Sequence, residues 1–159
     1  MNDSQTQPYL LYLQQLQSIC EGVDDTVSIL ANASAFLNEI LTDTNWVGFY
    51  LVKNKVLKLN AFQGKVACTV IEIGKGVCGH CVATKKIQRI ANVHEFPGHI
   101  ACDSASNSEI VLPIVINNHV FGVLDIDSPS FDRFSIEDEL FLSQCVTVIE
   151  HALSNCHLA

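Results

Sequence analysis

The sequence predicts an α+β domain in which an antiparallel sheet carries its terminal helices on one face and a ligand pocket, covered by loops, on the other. Three observations lead to this prediction. Helical periodicity is confined to the two ends of the chain, the middle alternates like strands joined by short turns, and a long polar segment separates two hairpins. With 159 residues, of which 48% are hydrophobic, we expect a single domain over residues 1–159 with a substantial core.

The first third of the chain predicts two helices. Residues 9–22 place apolar side chains on a broad stripe, and Gly22 is a typical helix stop. Asp24 or Asp25 is suited to cap a second helix, which we expect to end near Leu41.

The middle of the chain predicts two hairpins with shorter elements between them. Strands over 45–52 and 56–62 flank an Asn-Lys turn, and strands over 108–116 and 119–127 flank an Asn-Asn turn. Between the hairpins we expect, in order, a short strand, a short helix and a short extended segment, at 68–73, 78–86 and 87–93.

A polar loop and a final helix complete the predicted elements. Residues 94–108 form a loop of a length that compact domains keep when it covers a site. Ser135 and Asp138 frame the start of a helix that runs to about Leu153. One side of this helix carries Phe141, Cys145, Val148 and Ala152.

Alternation along the strands assigns side chains to the two faces of the sheet. We expect the helix-covered face to carry Val47, Phe49, Leu51, Ile110, Leu112, Ile114, Leu124 and Ile126. The opposite face then carries Trp46, Tyr50, Glu109, Asp125 and Asp127. Two carboxylates at i and i+2 repel each other unless a cation lies between them. This face is therefore either a solvated surface or a carboxylate cluster that binds a cation.

The charge balance disfavours several classes of partner. Nine basic residues against seventeen acidic ones give a net charge of −8, which opposes binding to nucleic acid or to an anionic membrane. The mean hydropathy is +0.27, but no apolar run approaches the ~20 residues that cross a bilayer. The first ten residues have neither a basic end nor an apolar signal core, so we expect a cytoplasmic protein.

Seven cysteines are unusual in a protein expected in a reducing compartment, and an odd number disfavours a disulfide scaffold. The CGHC segment at 78–81 has the spacing of dithiol oxidoreductases, but a thioredoxin-like fold also needs a parallel βαβ frame that the sequence does not predict. A thiol switch centred on Cys78 and Cys81 is a related alternative.

Three further interpretations of the cysteines remain open. The first is a zinc site. Its candidate ligands are of suitable types, although their spacing fits no standard zinc finger: Cys78, Cys81, His94, His99 and Cys102. The second is that cysteines on helices serve as small core residues. This interpretation applies to Cys20, Cys145 and Cys156, and it is also open for Cys81. Cysteines at the ends of elements can supply a nucleophile and resolving thiols, and these are Cys68, Cys78 and Cys102.

Four segments in fixed order resemble the free methionine-(R)-sulfoxide reductases, which are GAF-domain enzymes. The segments are NWVGFY (45–50), QGKVACTVIEIGKGVCG (63–79), GHIACDSASNSEIVLP (98–113) and GVLDIDS (122–128). The resemblance implies a GAF-like fold and reduction of free, not protein-bound, methionine-(R)-sulfoxide. It further implies recycling by thioredoxin or another dithiol without a bound cofactor or metal, and a possible homodimer through the terminal helices. A GAF domain that only senses a ligand is the alternative.

The resemblance also implies roles for individual residues. Cys102 matches the catalytic thiol, Cys68 the main resolving thiol, and Cys78 a third cysteine that can join the exchange. The substrate pocket is implied to contain an aromatic wall of Trp46 and Tyr50 and the carboxylates Glu109, Asp125 and Asp127. His80 and Cys81 depart from the family pattern, in which small residues are expected.

Reduction of a sulfoxide needs a thiolate to attack sulfur and an acid to protonate the departing oxygen. We expect Cys102 to attack and Asp127 to be the acid, although Glu109 and Asp125 are also candidates. The ammonium group of a free amino acid would offset the crowded negative charge, and backbone N–H groups of the 74–79 turn would take its carboxylate.

Overall fold

The computed structural model describes residues 3–100 and 102–156, with side chains described from residue 8 onward. The predicted domain of residues 1–159 therefore includes Met1, Asn2, Ala101 and residues 157–159, which lie outside the described residues.

A six-stranded antiparallel sheet with the strand order β3-β2-β1-β6-β5-β4 forms the centre of the fold. Its strands are β1 (Trp46–Lys53), β2 (Val56–Gly64), β3 (Val70–Glu72), β4 (Gln88–Ile90), β5 (Ser108–Ile116) and β6 (His119–Ser128). The helices are α1 (Asp3–Cys20), α2 (Thr26–Ile40), α3 (Gly76–Thr84) and α4 (Ile136–Ser154). The predicted α+β class, with helices at the ends and hairpins in the middle, is confirmed.

The main core lies between one face of the sheet and helices α1, α2 and α4. All eight side chains that strand alternation assigns to this face are buried in it, together with Cys20, Cys145 and Cys156. The cap of α2 is Asp25, whose carboxylate accepts a 2.8 Å hydrogen bond from the Ser28 amide. Ser135 and Asp138 form the predicted capping box of α4.

The second face of the sheet differs from the prediction, because it is not left free for a pocket. Helix α3 packs on it and forms a smaller apolar cluster in which Val77 and Val82 meet Val111 and Val123. An exposed sheet face with this many apolar side chains would be costly, so α3 covers most of it. The pocket is therefore restricted to the end of this face where β1 begins and β6 ends.

Several element boundaries also differ from the prediction. Helix α1 begins at Asp3 instead of residue 9, since the polar residues before Tyr9 carry no apolar periodicity that sequence analysis detects. The segment 68–73 contributes only a three-residue strand, and α3 begins two residues earlier than expected. The 94–108 loop starts within a 3-10 turn at Val93–Glu95. Within the described part of the chain, none of the helices has the length and apolar character that a membrane crossing requires.

Candidate functional site

Strand pairing brings the three predicted carboxylates together on the α3 side of the sheet. Glu109 of β5 pairs with Asp127 of β6, and Asp125 of β6 pairs with Gly48 of β1 on its other side. Paired residues direct their side chains to the same face of a sheet, so the acids converge at one end of it. Glu109 and Asp125 are buried, and Asp127 is half-buried.

Burial is the main reason why the acids of this cluster favour their protonated forms. It raises the pKa of Glu109 and of Asp127 well above the ordinary value, and the negative charge of Asp125 raises both further. Burial also raises the pKa of Asp125, partly offset by hydrogen bonds with Glu109 and Cys78. Since each of the three groups alters the pKa of its neighbours, they titrate as one set. Such a cluster can donate a proton to a bound molecule.

Two of the predicted thiols are joined next to this cluster. Cys68, between β2 and β3, and Cys102, in the long loop, form a disulfide with a Cα–Cα distance of 5.6 Å. Cys102 and Asp103 line the same cavity as the three acids. A thiol at position 102 therefore has both a second thiol and a source of protons in its surroundings.

The third predicted thiol, Cys78, is buried in the first turn of α3. Its Sγ and carboxylate oxygens of Glu109 and Asp125 all lie within 4.8 Å of one another. Burial and these carboxylates raise the pKa of Cys78 well above its ordinary value, so it remains a thiol. Thiolate and carboxylate are suitable ligands for a divalent transition metal, and this is the group of described residues that could hold one. The expectation that no metal is bound stays a prediction.

An aromatic wall lies above the acids. Trp46 stacks on Tyr50 with 5.9 Å between ring centroids, and on Phe62 with 5.1 Å. The wall also fixes the segment that carries Cys68, because the Trp46 indole N–H donates to the carbonyl of Lys65 at 3.1 Å and the Tyr50 hydroxyl donates to the carbonyl of Cys68 at 2.9 Å. Burial and the neighbouring acids raise the pKa of Tyr50, so its hydroxyl keeps the proton that it donates.

The sequence analysis did not identify the residues that hold the loop of Cys102. The Asn45 side-chain amide donates to Asp103 Oδ2 at 3.0 Å and to Ser106 Oγ at 3.1 Å. The Ser106 side chain in turn acts on the acid cluster, since it lowers the pKa of Asp127 and so partly opposes the effect of burial. Asn45 is part of the NWVGFY segment, but no pattern in the sequence indicates which loop it contacts.

The site is a small cavity of about 30 Å³ with walls from three parts of the fold. The sheet contributes the acids and the aromatic residues, and the first turn of α3 contributes Gly76 and Val77. The long loop covers it with His99, which the sequence suggested only as a zinc ligand, and with Ile100, which no sequence pattern indicated. The predicted role of this loop as a cover thus agrees with its position.

The other interpretations of the cysteines find little support. All strand pairs of the described sheet are antiparallel, so CGHC lacks the frame of a thioredoxin-like site. The Cys81 thiol is buried and donates to the carbonyl of Val111 at 3.8 Å. His94 Nε2 lies 2.8 Å from Asn107 Oδ1, and Cys102 is in the disulfide, so the suggested zinc ligands do not converge within the described residues.

Comparison with known proteins identifies the family and several relatives. Residues 13–153 match the GAF domain family. The chain is 50% identical to the free methionine-R-sulfoxide reductase of Escherichia coli, with 95% of this chain and 92% of the relative covered. The reduced form of fRMsr from Staphylococcus aureus is 48% identical and superposes with a TM-score of 0.89 over 91% of this chain and 94% of that one. Free methionine-R-sulfoxide reductase from Neisseria meningitidis, solved in complex with its substrate, is 39% identical with a TM-score of 0.89 over 92% and 89% of the chains.

Proposed function

The chain belongs to the free methionine-R-sulfoxide reductases of the GAF-domain family, and from this membership we propose that it reduces free methionine-(R)-sulfoxide at Cys102. The observation that carries the proposal is the Cys68–Cys102 disulfide at a cavity lined by three protonatable acids. A disulfide is the expected product of a sulfoxide reduction that consumes two thiols.

In the proposed reaction, the Cys102 thiolate attacks the electrophilic sulfur of the sulfoxide. Asp127 protonates the sulfoxide oxygen, which is transferred to the cysteine sulfur, so the products are methionine and a sulfenic acid on Cys102. Cys68 then attacks the sulfenic sulfur, water leaves, and the disulfide forms. One sulfoxide is reduced by two electrons while two thiols are oxidised to one disulfide.

The raised pKa values of Glu109 and Asp127 support the role of an acid, since a carboxyl that keeps its proton near neutral pH can deliver it. The high pKa of Cys78 disfavours the thiolate that attack requires, whereas Cys68 is the cysteine bonded to Cys102 in the structure. We therefore propose Cys68 as the main resolving thiol and Cys78 as a thiol that joins only secondary exchange.

The two charged ends of a free amino acid match groups on opposite sides of the cavity, which at about 30 Å³ must widen to admit a substrate of this size. Its ammonium group would lie among Glu109, Asp125 and Asp127, where a cation lowers the cost of their negative charge. Its carboxylate would accept hydrogen bonds from the backbone N–H groups that begin α3, because the side chain of the N-cap residue Lys75 does not cap them.

Trp46 and Tyr50 would enclose the methyl group of the substrate with apolar surface. A methionine sulfoxide within a peptide lacks both charges, which explains a preference for the free amino acid.

Regeneration of the thiols requires an external dithiol, and we propose thioredoxin for this step. Its two thiols would reduce the Cys68–Cys102 disulfide by thiol–disulfide exchange and become a disulfide themselves.

The decisive experiment is methionine formation from racemic methionine sulfoxide with dithiothreitol as the reductant. We expect consumption to stop at half of the racemate and to be absent in Cys102→Ser. N-acetylated, amidated methionine sulfoxide is the matched substrate without either charge, and we expect it to react far more slowly. No methionine from the free substrate would contradict the proposed activity, and equal rates for both substrates would contradict the proposed role of the charges.

A further inference from the structure

Exposed apolar side chains are concentrated around the disulfide. Among the described side chains, eleven large hydrophobic ones are exposed, and three of them lie two positions from a disulfide cysteine. Val66 precedes Cys68, Val70 follows it, and Ile100 precedes Cys102. Two residues of chain span at most ~7 Å, so all three side chains start close to the sulfur atoms. Such a local concentration is typical of an interaction surface, whereas single exposed hydrophobic residues are ordinary.

Val66 and Val70 take little part in packing within the chain. Val66 is 87% exposed and Val70 is 52% exposed. Ile100 is 37% exposed, and its side chain contacts α3 at Gly76. A Cβ atom added to Gly76 would lie 3.0 Å from the Ile100 side chain. Since the first two contribute little to packing inside this chain, their apolar surface is available to another molecule.

The segment that carries Cys68 is basic in an otherwise acidic protein. Residues 53–75 contain five lysines and one acidic residue, whereas the rest of the chain has four basic and sixteen acidic residues. Lys65 lies next to Val66, and Lys58 pairs with Val70 across the β2–β3 ladder. Lys58 and Lys65 are both exposed. A partner with acidic groups around its contact surface would be attracted here and repelled by the remaining surface.

We propose that Lys65, Val66, Val70 and Ile100 form the docking surface for the dithiol protein that reduces the Cys68–Cys102 disulfide, a partner with an apolar contact surface and an acidic rim. This proposal rests on the proposed function, because it assigns the surface used in its recycling step. In that step a thiolate of the partner attacks one sulfur of the disulfide, and the other sulfur leaves as a thiolate and takes up a proton. The second thiol of the partner then attacks the mixed disulfide, which leaves the partner oxidised and both enzyme cysteines reduced.

The test compares a protein reductant with a small one in the same variants. Val66→Glu and Lys65→Glu change exposed side chains, and the backbone carbonyl of Lys65 that accepts from Trp46 is retained in both. With thioredoxin as the probe, we expect each variant to raise the KM for thioredoxin by about tenfold, the equivalent of ~1.4 kcal/mol. With dithiothreitol, which needs no docking surface, we expect rates within about twofold of the unmodified protein.

The control is Val27→Glu, which places the same charge on a valine that is 57% exposed on α2, on the other face of the sheet. We expect Val27→Glu to change neither the KM for thioredoxin nor the rate with dithiothreitol. An unchanged KM for thioredoxin in both surface variants would overturn the proposal. An equal loss of activity with thioredoxin and with dithiothreitol would also overturn it, because the residues would then act on the chemical step itself. Failure of the unmodified protein to form methionine with dithiothreitol would instead refute the proposed function, so the two failures are distinguishable.

Discussion

Glu109 lies directly opposite Asp127 across the β5–β6 ladder, with both side chains on the face that α3 and the long loop cover. Two like charges in adjacent positions of a sheet repel each other, and burial increases the cost of ionising either of them. The arrangement persists because protons are shared within the cluster, which includes Asp125. The cluster can therefore hold protons, and we expect both the stability and the activity to depend on pH.

Glu109→Gln tests the energetic cost of this cluster. Because the folded-state pKa values of Glu109 and Asp127 lie above their unfolded values, folding takes up protons. The contribution of these two groups to the free energy of unfolding should be most favourable below the ordinary carboxyl pKa and should decrease as the pH rises toward the raised values. In Glu109→Gln this decrease should be smaller, and at pH 8 the Tm should be higher by ~3 °C or more, since ~1 kcal/mol corresponds to roughly that shift.

Thermal unfolding of the oxidised protein at several pH values between 5 and 9 measures this effect without a change in thiol state. Glu95→Gln is the matched control, because Glu95 is exposed and lies outside the cavity. Equal pH dependence of the Tm in Glu109→Gln and the unmodified protein would mean that the cluster does not impose the expected cost.

Asp127→Asn should lower kcat by about 100-fold or more, because an amide of nearly the same shape cannot protonate the sulfoxide oxygen. Steady-state methionine formation with dithiothreitol measures the change, with the pH profile recorded for each variant. An unaffected rate would reassign the acid to Glu109 or Asp125, and the corresponding amide variants would identify which one.

Cys102→Ser should abolish even a single turnover, since a serine hydroxyl is a much weaker nucleophile than a thiolate. Rapid quenching with enzyme in excess over substrate measures methionine from the first turnover. Cys81→Ser is the control from the CGHC segment. Its hydroxyl can keep the hydrogen bond to the Val111 carbonyl, so we expect turnover to remain. Methionine from the Cys102 variant would move the attacking sulfur to another cysteine.

Cys68→Ala should separate the chemical step from the recycling step. The first turnover should form one equivalent of methionine, because attack by Cys102 does not require the second thiol. Cycling with thioredoxin should be strongly impaired, since the sulfenic acid on Cys102 no longer has the Cys68 thiol with which that sulfur is paired in the disulfide. Unchanged cycling would assign the resolving role to Cys78.

The faces of the sheet could be predicted from sequence, whereas the contacts between loops could not. Apolar residues at every second position indicate which side of β5 and β6 faces the terminal helices, so Glu109, Asp125 and Asp127 had to share the other side. Nothing in the sequence indicates that α3 packs on that side, because this nine-residue helix has apolar or small side chains nearly all round. The Cys78 side chain faces the acids and the Cys81 side chain does not. This difference depends on how α3 packs on the sheet.

The disulfide partner of Cys102 was indicated by family resemblance alone, since the two cysteines are 34 residues apart and no local pattern joins them. The contact between Asn45 and Ser106 spans 61 residues and has the same limitation. Long-range contacts of this kind depend on how the loop lies across the sheet, which propensity and periodicity do not specify.

Asn45→Ala tests whether this long-range contact positions the loop that carries Cys102. The variant loses two hydrogen bonds, to Asp103 and to Ser106, which anchor the segment that follows Cys102. At ~1 kcal/mol for each bond, we expect kcat to fall by about tenfold or more, because Cys102 and Asp127 would no longer be held in register. Asn60→Ala, at a half-buried asparagine that bonds only to the next amide, is the control and should retain activity. A lower Tm with unchanged kcat in Asn45→Ala would show that the contact stabilises the fold without positioning the loop for catalysis.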